Sequence, residues 1–136
     1  DIMGGRQGAV VAEIIARRGI KVHFVTQLGQ PSPDLASSRD WGKVHGMLKK
    51  LGVVFHVDKE LVFIDENQVA MRDVYTNDEH TQNHISSVIM VQGSSANDHL
   101  YHELIKTKPC HLVGDAMAPR RVNDAISDGE LIARLI

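Results

Sequence analysis

The 136-residue sequence has a single cysteine, Cys110, which excludes an internal disulfide and any multi-cysteine zinc or iron–sulfur site within the chain. It also lacks a charge bias. Fifteen Lys and Arg against seventeen Asp and Glu leave a formal charge of −2, so the balance advertises neither a nucleic-acid nor an anionic-membrane partner. No apolar run approaches the ~20 residues that span a bilayer, and no basic-then-apolar leader opens the chain. The expected setting is soluble and cytoplasmic. Eight histidines are many for this length, but they are scattered.

What is present is ordinary globular material, 43% hydrophobic and 24% charged, in a length that suits one core. Glycines 4, 5 and 8 run into a helical pattern over 9–18, with Val10, Val11, Ile14 and Ile15 as its apolar face. Arg17, Arg18 and Gly19 form a C-terminal stop. A strand follows over 21–26, then a Pro- and Ser-rich loop over 27–40 and a helix over 41–51. Runs 53–57, 61–64 and 69–75 read as a β-meander, with hairpin turns at 65–67 and 77–78. Apolar runs 87–91 and 110–113 read as buried strands. A helix over 97–106 separates them, and an amphipathic helix over 120–136 closes the chain. This order predicts an α/β, Rossmann-like fold with a central parallel sheet and a β-meander.

Only Asp1 to Met3 precede the glycines, too few for a full central strand at ~3.3 Å per residue. The first strand is therefore expected to be missing or truncated, leaving a gap or exposed sheet edge and making self-association plausible. Set on the dinucleotide fingerprint G-x-G-x-x-G, the window Met3 to Gly8 has Met3 where the turn glycine belongs. The end of the second strand, Thr26-Gln27-Leu28, offers no carboxylate for an NAD ribose and no basic group for an NADP phosphate. Gly4, Gly5 and Gly8 thus form a vestigial phosphate loop, or serve only helix–strand packing.

Two segments resemble one family. The first is Asp1-x-x-Gly4-x-x-x-Gly8-Ala9-x-x-Ala12-Glu13, with Arg18-Gly19-x-x-Val22 and Val25-Thr26. The second is His111-Leu112-Val113-Gly114-Asp115-Ala116-x-Ala118-Pro119-Arg120-Arg121, continuing to Asp124-Ala125-Ile126. Both resemble the C-terminal region of trimethylamine dehydrogenase and 2,4-dienoyl-CoA reductase, flavin and iron–sulfur oxidoreductases. Leu51-Gly52-Val53 and the run from Ser87 to Gly93 fall where that family has similar strands; Ser94 to Asn97 depart from its Arg-x-Pro-Asn string.

The resemblance implies a piece of a longer enzyme whose FMN barrel, cluster cysteines and active site lie elsewhere, so this chain holds no catalytic residue. It implies that 1–92 is a second, NAD(P)-type and degenerate dinucleotide domain, and that 93–136 is the closing strand and helix of an ADP- or FAD-binding domain. Asp115 would then accept ribose or ribityl hydroxyls, with Gly114 and Ala116 allowing close approach and Arg120 and Arg121 near a pyrophosphate. Otherwise, Asp115 simply caps the last helix. The implied partners are the remainder of the parent polypeptide and, in the amine-dehydrogenase branch, an electron-transferring flavoprotein. An NAD(P)H-dependent dienoyl or enoate reductase, or a stand-alone adenine-nucleotide-binding module, are the other readings.

Several constellations carry no chemistry at this level. His99 and His102 beside Glu103, and His80 with His84, lack a third convergent ligand. Cys110 and His111 are adjacent strand residues that point to opposite faces. Ser37-Ser38 and Ser94-Ser95 lack a nucleophile elbow. Trp41 is expected to anchor the 27–40 loop.

Overall fold

The computed structural model describes all 136 residues and divides them into two compact units, Asp1–Gln92 and Gly93–Ile136. The fold is mixed α/β. In the first unit the elements are α1 (Arg6–Arg17), β1 (His23–Val25), α2 (Trp41–Lys50), β2 (Val54–His56), β3 (Lys59–Ile64), β4 (Gln68–Asp73) and β5 (Glu79–Asn83). The second holds α3 (His99–Leu104) and α4 (Val122–Ala133).

β1 and β2 pair in parallel, with Phe24 beside Phe55, and α2 makes the crossover that parallel pairing requires. β3, β4 and β5 form the antiparallel meander. A register shift between Leu61 and Phe63 interrupts the β3–β4 ladder. Asp73 ends β4 and organises the next turn: its Oδ1 accepts the amides of Tyr75 and Thr76, each at 2.9 Å. β5, sequence EHTQN, has no apolar alternation, and its pairing with β4 alone makes it a strand.

The core of the first unit joins Ala9, Ala12, Ala16, Phe24, Leu35, Leu48 and Val53. α1 forms as expected, but its buried face is not the one read from the sequence. Gly8, Ala9, Ala12 and Ala16 point inward, while Val10 and Ile14 are 40% and 49% exposed. Spacing alone allows either face. The small-residue face wins because it lets α1 lie close against α2 and β1, which larger side chains would hold off. Trp41 anchors the preceding loop as expected, donating from Nε1 to the Pro31 carbonyl at 2.9 Å.

The expected strands over 87–91 and 110–113 are not strands in this chain. Both are extended but have no ladder partner within it. Neither is buried on both faces: Ile89 and Met90 are more than half exposed, and 110–113 is at most half-buried. An apolar run marks a segment suited to a buried strand, but strand identity needs a ladder partner and these two runs find none. α4 likewise forms with Val122, Ile126 and Leu131 all exposed. No helix is long and apolar enough to cross a membrane.

Candidate functional site

In the second unit, a short 3-10 turn over Gly114–Ala116 carries the Gly-Asp motif between the extended 110–113 run and α4. Gly114 has φ +63°, and a Cβ there would stand 3.3 Å from that of Ala125. Both the left-handed backbone and the packing of the turn onto α4 therefore call for glycine. Its amide donates to Asp128 Oδ2 at 3.2 Å, and the same oxygen is ion-paired with the Arg120 guanidinium. Asp128, which sequence reasoning passed over, is the post that ties turn and arginine to α4. Its signal was one turn-spaced acid on a helix, indistinguishable from a solvated charge.

Asp115 itself is exposed. Its Oδ1 accepts the Arg120 amide at 3.3 Å, and it does not cap α4. That task falls to Asp124, whose Oδ2 accepts the Arg121 amide at 3.0 Å in a capping box. The helix-cap role for Asp115 is thus filled by another carboxylate. Arg120 is spent differently from expectation: its guanidinium bonds Asp128 and the Ala118 carbonyl. The residues fit the hydroxyl-rich part of a nucleotide better than its phosphates.

In the first unit, residues 1–5 form a tight loop that leads into α1. The Asp1 backbone nitrogen donates to the Val25 carbonyl at 2.8 Å and the Ile2 amide to the Val91 carbonyl at 3.2 Å. The segment therefore lies between the end of β1 and the 88–91 run. Gly4 has φ +66°; a Cβ there would meet Leu28 Cδ1 at 2.7 Å and the Pro33 ring at 3.0 Å. The Gly4 carbonyl accepts the Asp34 amide at 3.1 Å. Gly8 lies against the Asp1 carboxylate, and Gly5 is the N-cap of α1.

The other titratable groups sort into packing. His23 Nδ1 and His56 Nε2 are 2.9 Å apart with stacked rings. Burial pushes both below the usual imidazole range, helped at His23 by Lys21 and at His56 by His23, His80 and Lys59. An open groove of about 540 Å³ flanks β2, lined by Trp41, His45, Lys49 and Phe55 among others. His45 packs its ring between Trp41 and Phe55. His102 pairs with Asp98 at 3.0 Å rather than with His99. No three His, Cys, Asp or Glu side chains are grouped to hold a metal ion.

Neither a family model nor a curated protein matches the sequence. Solved structures do. Histamine dehydrogenase from Rhizobium sp. 4-9 superposes with a TM-score of 0.91 at 28% identity over 98% of this chain. The 6-hydroxypseudooxynicotine amine oxidase of Pseudomonas geniculata N1 gives 0.91 at 26% identity over 96%. These neighbours match the trimethylamine dehydrogenase family that the two motif segments resemble. A 2-naphthoyl-CoA reductase shares the fold, with a TM-score of 0.78 at 19% identity over 94% of the chain. The family resemblance read from Gly4-x-x-x-Gly8 and the Gly-Asp-Ala-x-Ala-Pro-Arg-Arg string therefore holds. The chain spans 22%, 20% and 19% of the lengths of these three proteins.

Proposed function

We propose that this chain is the nucleotide-domain portion of a flavin- and iron–sulfur-dependent amine-oxidising enzyme of the histamine dehydrogenase kind. Within it, the Gly114–Asp115 turn helps hold the ADP moiety of ADP or FAD. Two neighbours above 25% identity act on amines by their names, which favours the amine branch over the reductases. A reading of the units as Rossmann-like halves is supported by a parallel pair with a helical crossover and a glycine loop in one, and by a Gly-Asp turn before a helix in the other. With one cysteine, this chain cannot ligate a four-cysteine cluster, and FMN chemistry belongs to other parts of such an enzyme.

The observation that carries the reading is that Asp115 is exposed while Asp124 caps α4. An exposed carboxylate on a glycine-made turn is suited to accept paired hydroxyls of a ribose. Gly114 contributes by bringing the backbone close, and Arg121 by its charge beside the first turn of α4. Bound ADP would supply no chemistry of its own; bound FAD would add an electron carrier, and the residues here would only hold it. An electron-transferring flavoprotein is the fitting acceptor for the amine branch.

The test is nucleotide retention in the intact protein as its host makes it. ADP or FAD released on denaturation is quantified by chromatography for the unaltered protein and for Asp115→Ala. Retention should fall at least tenfold in the variant. Equal retention in both would remove Asp115 from the site.

A further inference from the structure

The geometry points to Asp1 as the residue that closes the glycine loop of the first unit to phosphates: its carboxylate takes, as a built-in anion, the place a dinucleotide pyrophosphate would need. A glycine loop leading into a helix binds phosphate because its amides, with those of the first helical turn, have no other acceptor and face the positive end of the helix dipole. Here the loop's share of that demand is met from within the chain. Asp1 Oδ1 accepts the Met3 amide at 2.9 Å and the Gly4 amide at 3.3 Å. Oδ2 is buried without a hydrogen-bond partner and presses on the start of α1, where a Cβ on Gly8 would stand 2.7 Å from it.

No other acid serves this end of α1. Its first turn has none, and its N-cap is Gly5. The basic residue of the first turn, Arg6, is paired with Asp40 at 2.8 Å. An incoming phosphate would compete for two occupied amides and meet a like charge at contact distance. The missing turn glycine at Met3 and the lack of an acid after β1 lower affinity for NADH or NADPH; Asp1 goes further and excludes their shared pyrophosphate. The inference stands apart from the Asp115 reading, which concerns another loop.

The experiment uses the intact protein, inorganic pyrophosphate as probe, and hydrogen–deuterium exchange read on peptides covering residues 2–10. The unaltered protein should show no pyrophosphate-dependent protection there. Asp1→Gly, which empties the loop, and Asp1→Asn, which keeps the acceptor but removes the charge, should each gain it. The apparent affinity should be at least tenfold above that of the unaltered protein, with Asp1→Gly the stronger. If Asp1→Gly does not fold, Asp1→Asn decides alone. Pyrophosphate protection already present in the unaltered protein, or absent from every folded variant, overturns the proposal. Reading residues 2–10 directly keeps binding near Asp115 from being mistaken for it.

Discussion

Two glycines fifteen residues apart should respond to alanine in opposite directions, and the difference tests how the Gly-Asp turn is built. Gly114 has φ +63°, and its Cβ would come within 3.3 Å of Ala125. Placing an L-residue in the left-handed region costs about 1–2 kcal/mol, and the contact with Ala125 adds to it because that neighbour belongs to α4. Gly129 lies inside α4 with open space around its Cβ. There alanine restores helix propensity worth up to about 1 kcal/mol. Gly114→Ala should therefore raise exchange of α4 amides in the intact protein by about tenfold, and Gly129→Ala should lower it several-fold, taking ~1.4 kcal/mol per decade. Gly114→Ala should also loosen retained nucleotide, since Asp115 rides on the displaced turn; Gly129→Ala should not. Like signs for the two variants, or an unmoved α4 in Gly114→Ala, would refute the placement of the turn against the helix.

Three further outcomes follow from the geometry. Leu48→Ala removes a side chain 1% exposed at the centre of the first unit and should cost about 2–5 kcal/mol in chemical denaturation, whereas Ile14→Ala, 49% exposed, should cost well under half of that. The His23–His56 contact predicts acid sensitivity. Both folded-state pKa values lie below the ordinary 6.5, so the unfolded chain takes up protons first and stability falls as pH drops below about 6.5. His56→Gln should flatten that limb of a stability–pH profile, and an unchanged slope would contradict it. Asp124→Ala removes the acceptor at the start of α4 and should cost about 1 kcal/mol of local stability while leaving nucleotide retention intact, the reverse of Asp115→Ala.

Local signals made α1, α2, β3 and β4 readable from the sequence. The meander expected over 53–57, 61–64 and 69–75 is corrected at its first strand: β2 pairs in parallel with β1, and β5 completes the meander instead. Gly19 and Gly52 end helices where expected, and the turns at Asp65 and Asn77 sit between paired strands. The face of α1 was misread because periodicity ranks residues by hydrophobicity, whereas packing ranked them by size. Val10 and Ile14 are the better apolar residues; Ala9, Ala12 and Ala16 are the ones that fit. β5 was silent for the opposite reason: its polar residues form a strand only because β4 offers a ladder edge. The runs 87–91 and 110–113 carry the composition of strands but form none, since strand identity depends on neighbours.

The same distinction explains what could be seen of the sites. A motif fixes backbone shape, and Gly114-Asp115 and Gly4 both adopt the left-handed turns that their glycines permit. It does not fix which side chain meets which need. At α4, three carboxylates stand within fourteen residues, and only coordinates separate their work: Asp124 caps, Asp128 binds Gly114 and Arg120, and Asp115 is exposed. At α1, the loop glycines read as a phosphate cradle, yet the nearest anion belongs to the chain itself at Asp1. Opposite assignments thus follow from one physical rule. Helix starts and glycine turns demand acceptors, and a carboxylate that meets that demand leaves less for a ligand to satisfy. Asp124 meets that demand at the start of α4, and Asp115, which accepts the Arg120 amide, stays exposed, which is why the nucleotide is expected at the second loop and not at the first.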